Sequence, residues 1–437
     1  MARIQGRNAY REQFQGAMME LFPPPMFAQC SRHGNAEWSA QKVLWVSLVM
    51  NWMAGSTLSE RFRAARGLIR VVRPRWVLPT SFAGFVEAQQ RWLPVLWRLL
   101  CRRLRPDEEL LDTWRVMGWV VLAVDGSRFE CPRTTDNEEG LKCAGREKTC
   151  PQIFQTTLQH VGTGLPWDLR LGPGTDSERR HLELMLRDLP PQSLLTADAG
   201  FISYELCAWL CRNNHTFVLR VGGNVTLLEG LGWKQEQFGQ TVYLWPQDYR
   251  NHQPIVLRQL RFLSPGGLPV VLLTNEFDAK RLSDEAMRKI YAARWGIEVY
   301  YRTFKQTWGF RQLLSRTPET ALNEQRWRIL SLWTLQRIMG KSLQAAGHDP
   351  RRFSGAKSRS IIREFLQDLQ QGARGPCLGT RFQTARTDDY QRDRPKQTRK
   401  WPRKKNDRPP GPPKLRPATP REIQRANQLD FLIRLIC

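Results

Sequence analysis

The chain has 437 residues, 41% of them hydrophobic, enough to bury real cores in two or three domains. Its 67 Lys and Arg against 41 Asp and Glu leave a formal charge of +26, beyond what solubility needs, and a polyanion, nucleic acid first, is the expected partner. The longest apolar run, VLWVSLVMNWMAG from Val43, is shorter than the ~18–20 residues of a bilayer span, and MARIQGRNAYREQFQG has no apolar signal core, so no membrane and a cytoplasmic, nucleoid-associated location are expected.

Residues 1–112 carry helix-period apolar positions and many arginines. In GSTLSERFRAARGLIRVV, Ser56, Thr57 or Ser59 can cap a helix whose Arg61, Arg63 and Arg66 lie along an exposed side, the pattern of a helical DNA-binding domain. From about 117 the pattern changes. WVVLAVDGS is a continuous apolar run ending in Asp125, as for a strand buried on both faces. Two strands follow around a Gly-Thr-Gly turn, about 153–161 and 165–171. DSERRHLELMLRDLPP reads as a helix capped near Asp176 or Ser177, SLLTADAGF as a second buried strand ending in Asp198, SYELCAWLCRNN as a helix and HTFVLRVGG as a strand.

Short strand-like runs then fill about 224–280 as a β-rich insertion. LSDEAMRKIYAARWGIEVYYRTFKQTWGF opens with a capping-box pattern from Ser283 to Ala286, and further helices are expected at 327–344 and 358–371. From about 372 to 420 few apolar and many basic and proline residues predict a loosely ordered tail, and RANQLDFLIRLIC can form a helix that either dimerises or packs on its own domain. The nine cysteines show no paired CxxC spacing, which argues against zinc and against a disulfide framework. Glu130, Glu138 and Glu139 read as solvated loop acids, and His160 and His181 as structural.

At about 100° per residue, Tyr291, Arg294, Glu298 and Lys305 fall on one narrow stripe of a helix, apart from an apolar face that includes Ile290, Ile297 and Phe304. An Arg294–Glu298 ion pair on a solvated face is the plain account of that stripe. The chemical account takes Asp125, Asp198 and Glu298 together, since three converging carboxylates are hard oxygen ligands for Mg2+.

VLAVDGS, LLTADAGF and YAARWGIEVYYRTFK resemble the three acidic motifs of the DDE transposases of insertion sequences, in the insertion sequence 4 family. Its third motif is Tyr, two residues, Arg, three residues, Glu, six residues, Lys, and Tyr291, Arg294, Glu298 and Lys305 match all four positions. The resemblance implies an α/β fold: a ribonuclease H-like catalytic core, a mixed five-stranded sheet with flanking helices, over 113–345. The β-rich insertion interrupts it, the helical domain 1–112 precedes it, and a helical and basic, partly disordered region follows over 346–437. It implies Asp125, Asp198 and Glu298 as catalytic ligands of two Mg2+ ions, with Mn2+ as a substitute, and Tyr291, Arg294 and Lys305 as phosphate contacts. Trp295, outside the apolar face, can stack on a displaced base or simply pack. Cleavage at element ends and strand transfer into target DNA, by a homodimer bound to DNA, are the implied functions. A nuclease that cuts without joining, and a lapsed DNA-binding descendant, are the alternatives.

Overall fold

A computed structural model describes residues 2–28, 30, 37–144, 150–232, 240–264, 267–372, 375–387 and 411–434. Five helices open the chain: α1 (Ala2–Leu21), α2 (Ala40–Trp52), α3 (Leu58–Val72), α4 (Phe82–Leu104) and α5 (Glu108–Thr113). Then come β1 (Val120–Glu130), α6 (Thr135–Leu141), β2 (Gln152–His160), β3 (Leu165–Pro173), α7 (Glu178–Met185), β4 (Ser193–Ala197), α8 (Tyr204–Arg212) and β5 (Thr216–Val221). The expected insertion supplies β6 (Thr226–Glu229), β7 (Thr241–Leu244), β8 (Ile255–Leu263) and β9 (Pro269–Thr274). The remainder is α9 (Asp284–Ala293), α10 (Trp295–Arg302), α11 (Pro318–Ala345), α12 (Gly355–Gln371), α13 (Leu378–Gln383), β10 (Lys414–Pro417) and α14 (Pro420–Arg434).

All ten strands join one mixed sheet, ordered β10-β6-β7-β8-β9-β5-β4-β1-β2-β3. The expected five strands form one half of it, with β1 antiparallel to β2, β2 antiparallel to β3, and β1, β4 and β5 mutually parallel. The insertion is not a separate unit, because β9 pairs antiparallel with β5 and extends the same sheet. Nor is the tail wholly loose: Lys414–Pro417 pairs parallel with β6, and α14 packs Ile423, Ala426 and Leu429 on the core beneath the insertion. Arg416 and Arg250 both pair with Glu422 to fasten that end, so α14 packs on its own chain. The stretch 388–410 of the basic tail lies outside the described residues.

The apolar run from Val43 is α2, apolar all round because it sits at the centre of the largest core. That core draws on α1–α4 and equally on α10–α13, so the first 112 residues share their apolar faces with the end of the chain. Thr57 is the cap of α3, in a full capping box with Glu60. Arg61 and Arg66 do not line an open face: their guanidinium groups donate to the carbonyls of Gly55 and Leu78. Ser283 caps α9 by accepting from the Ala286 N–H, but Ala286 has no side chain to reciprocate, so this is a simple cap rather than a box. The TTDNEEGLK stretch folds as α6 rather than a turn, capped by Thr134. The eight described cysteines are free. Among the described residues no helix is long and apolar enough to cross a membrane.

Two buried polar features carry stability. Arg328 and Glu324, one turn apart on α11 and both buried, pair with each other. Glu324 also accepts from the N–H groups of Leu314 and Ser315, and Arg328 donates to the Gln312 carbonyl, so the pair anchors the loop that leads out of α10. Glu324→Ala should cost about 3–5 kcal/mol in urea unfolding, because it strands a buried guanidinium. His160, fully buried beside Thr163, has its pKa pushed down from 6.5 to about 4 by burial. The unfolded chain therefore takes up a proton first, and stability should fall as pH drops from 6.5 towards 4, by up to about 3 kcal/mol. His160→Gln should flatten that part of a stability–pH profile.

Candidate active site

The β1–β4 ladder positions the first two acids. Val120, Leu122 and Val124 face one core and Val121 and Ala123 another, as in a strand covered on both sides. The parallel register ends with Ala123 opposite Thr196, and the same step carried two residues past the paired rows sets Asp125 level with Asp198. Asp125 is not the end of its strand, however. β1 continues to Glu130 along β2 after β4 has stopped, so Asp125 stands in mid-strand where its neighbour on one side has just ended. The Asp-Gly pair at which the apolar run stops is a strand step, and Gly126 is needed there because a Cβ would lie 2.6 Å from the Phe154 ring and 2.8 Å from the Glu178 carboxylate.

The third acid arrives on α10. The expected single helix is broken, with α9 ending at Ala293, α10 starting at Trp295, and a π-helical turn over Thr303–Thr307. The Ile297 N–H reaches only as far as the Arg294 carbonyl, a tightened turn, and the π turn then widens the spiral, so an even 100° step does not hold along this segment. The four signature side chains nevertheless surround one end of the β1–β4 ladder. Tyr291 donates from its hydroxyl to Asp198 Oδ1 at 3.2 Å, and Arg220 lies 3.6 Å from the same oxygen. Arg294 Nη2 donates to Glu298 Oε1 at 3.0 Å, the ion pair of the plain account. Tyr301 locks α10 to the sheet, its hydroxyl 3.0 Å from the Asp125 carbonyl and 3.0 Å from the Thr157 hydroxyl.

Arg294 is the electrostatic centre. Burial opposes its charge, but Tyr291, Asp198, Glu298 and Asp125 around it outweigh that and hold it above its ordinary value. Its Nε is buried without an acceptor among the described residues. Burial raises the Asp125 carboxyl to about 6, against the Gly126 N–H and Arg294, with the charges of Glu298 and Glu178 adding to the rise. Lys305 sits 4.8 Å over the Phe129 ring, and burial lowers its pKa although Glu130 and Asp125 oppose this. Trp295 is 56% exposed and borders a groove of about 960 Å3, whose cations Arg337, Lys341 and Arg351 are paired with Asp107, Glu20 and Asp349.

Among the acids read as solvated, Glu138 pairs with Arg133 on α6. Glu130 ends β1 and is held below the usual carboxylate range: burial works the other way, and the hydrogen bonds from Gln312 and Arg311 prevail. His181 is structural, its ring between Asp176 and Thr156. The acid that pattern reading passed over is Glu178, at the first position of α7, where an acid looks like ordinary helix-terminus charge. Among the described residues no three acidic, histidine or cysteine side chains already share one coordination sphere. The donor set still fits a hard divalent cation: carboxylates from three elements meet at one ladder end, and half-buried Asp125 lies beside other carboxylates, with Arg294 central among the cations that offset their charge.

Residues 118–334 match the profile of the transposase DDE domain. The transposase InsG of insertion sequence element IS4 from Escherichia coli K12 is 26% identical over 273 residues, 59% of this chain and 61% of that protein. The segment 118–334 is thus a transposase DDE domain, similar to that of the insertion sequence 4 type. The chain spans less than two thirds of the length of that relative. A piggyBac transposase in a synaptic complex with hairpin DNA covers 86% of this chain and 80% of its own at 13% identity, and its TM-score of 0.41 is too low to carry an argument.

The glycine requirement at this ladder end has a sign that can be checked. Gly126→Ala should destabilise by about 1–3 kcal/mol, the cost of overpacking. Gly67→Ala in α3, where a Cβ meets nothing within 4 Å, should instead stabilise by roughly 0.5–1 kcal/mol. Paired thermal melts would decide, and a neutral Gly126→Ala would mean that the strand step is looser than this packing.

Proposed function

We propose that this protein is a DNA transposase whose ribonuclease H-like core cuts insertion-sequence ends and transfers the freed strand into target DNA. The observation that carries the reading is the register of β1 on β4, with Asp125 abreast of Asp198 and both coupled through Arg294 to Glu298. Asp125, Asp198 and Glu298 would hold the divalent cations. Two Mg2+ ions, when bound, supply charge stabilisation to the attacking and leaving oxygens of phosphodiester displacement.

The rest is the work of the chain. Asp125 projects from the middle of β1 and Asp198 from the residue just after β4, two rigid supports that keep their oxygens at fixed separation. Tyr291 restrains Asp198, and Tyr301 fixes α10 so that Glu298 stays beside them. Arg294 compensates the acids in the absence of DNA, and its unpaired Nε is a donor left over for a phosphate oxygen. Lys305 would add a point charge to the same phosphate, and exposed Trp295 would stack on an unpaired base. The helical segment 1–112 and the basic segment 346–437 would bring double-stranded DNA, the element ends and the target, to the catalytic segment 113–345. Two ends must meet, which favours a homodimer on DNA, and a nucleoid-associated place in the cytoplasm follows from the basic charge.

The test is cleavage of labelled DNA carrying the ends of the flanking element, with Mg2+ or EDTA. Glu298→Gln should lose at least about 10³-fold in rate, some 4 kcal/mol of barrier, while retaining end binding. Metal-independent cutting, or native rates from Glu298→Gln, would sink the assignment. Lys305→Ala should weaken binding and reduce the slope of log affinity against log salt by about 1.

A further inference from the structure

We propose that Glu178 is a fourth carboxylate of this active site, reaching the divalent cation beside Asp125 and Asp198 from the face of the sheet opposite Glu298. The inference rests on the reading of Asp125, Asp198 and Glu298 as ligands. It names a residue that the three acidic motifs do not contain.

Alternation along β1 turns Asp125 towards the face covered by α9, whereas Gly126 faces the side of α7. Glu178 comes from α7, and its two oxygens occupy the space left by two missing side chains. Oε2 lies 2.8 Å from where a Cβ on Gly126 would stand, and Oε1 lies 3.0 Å from that position on Gly200. Gly126 follows Asp125 directly and Gly200 is two residues beyond Asp198, so the carboxylate bridges the same pair of chain segments that carry the two aspartates.

That placement is built. One turn along α7, the buried His181 ring hydrogen-bonds Thr156 on β2 at 2.9 Å and Asp176 at 3.0 Å, and it stacks on Phe154, the residue that also packs on Gly126. Two arginines near Glu178 are committed elsewhere. Arg179 Nε donates to the Gly200 carbonyl at 2.7 Å and Arg128 Nε to the Gly174 carbonyl at 2.9 Å. Among the described residues nothing forms an ion pair or a hydrogen bond with Glu178 itself. Burial raises its pKa, with the charges of Arg128 and Arg179 opposing and that of Asp198 adding to the rise. An acid placed only to complement the α7 terminus could do so while facing water at the first turn. This one is instead turned into the sheet and half-buried, its oxygens set against Gly126 and Gly200, with Arg128 and Arg179 acting on it through charge and not through a hydrogen bond.

The experiment is Mn2+ binding to the full chain, followed by electron paramagnetic resonance, for the unaltered protein and for Glu178→Gln, Glu178→Asp and Asp125→Asn. Melting temperatures check that each variant is folded. Glu178→Gln should weaken Mn2+ binding by about 10-fold or more, with Glu178→Asp intermediate and Asp125→Asn also weakened. Native Mn2+ affinity in Glu178→Gln with a loss in Asp125→Asn would overturn the role of Glu178 and leave the three-acid site standing. A lower melting temperature at native Mn2+ affinity would reduce Glu178 to helix-terminus charge and equally overturn the proposal. Native affinity in both variants, or no Mn2+ bound by the unaltered protein, would overturn the three-acid reading and this inference with it.

Discussion

Several acids meet at the end of a sheet that is apolar on both faces, and the cost of crowding like charges in a poorly solvated place has to be met by something. In this chain the guanidinium of Arg294 meets it. Three carboxylates and a phenol act on that one buried cation, so the positions of Asp125, Asp198, Glu298 and Tyr291 are correlated through it. The break between α9 and α10 follows from the same demand. A regular helix would keep Arg294 in the even stripe of its neighbours, whereas the tightened turn at Arg294 and the π turn at Thr303–Thr307 let one segment serve the acids, the apolar core and Phe129 at once.

The sheet supplies the rigidity that this balance needs. β1 is the strand on which two chemistries meet: its first half pairs with β4 on one side, its second half with β2 and, at Glu130, through an isolated bridge with Gln312. Ending β4 early opens a gap beside Asp125 without fraying β1, because the β2 ladder continues underneath. Opposite faces then become available to different helices, α9 and α10 on one and α7 on the other. The helices at both ends of the chain form one apolar core around α10 and α11, so the element that carries Glu298 is clamped by residues distant in sequence.

Much of this was legible in the residue pattern where the local signal and the tertiary environment agree. Buried strands read as apolar runs, and the aspartates that follow VLAV and LLTA stood out as polar residues where such runs stop. Asp-Gly misled as to the length of β1, because glycine there serves a close packing contact instead of a turn. Lys414–Pro417 could not be read as a strand from four residues flanked by prolines; its partner β6 supplies the hydrogen bonds that its own sequence does not predict. Glu178 stayed hidden for a related reason. An acid in a first helical turn has a sufficient local explanation, and only the absence of two Cβ atoms, far apart in sequence, shows which way its side chain turns.

The formal charge of +26 also reads differently once the fold is known. Arg61, Arg66, Arg103, Arg258, Arg328 and Arg363 donate to backbone carbonyls, tying loops and helix ends that would otherwise bury unsatisfied acceptors. Such groups contribute to the long-range field that draws a polyanion in while spending at least one donor each on the fold. Close to the acids the field reverses locally, and a phosphate approaching Asp125 and Asp198 would meet repulsion that Arg294, Arg220, Lys305 and a bound cation would offset. The buried cation that balances the acidic cluster and the donors proposed to receive the substrate thus belong to one short segment, Arg294 to Lys305, which is why the signature residues must travel together along the sequence.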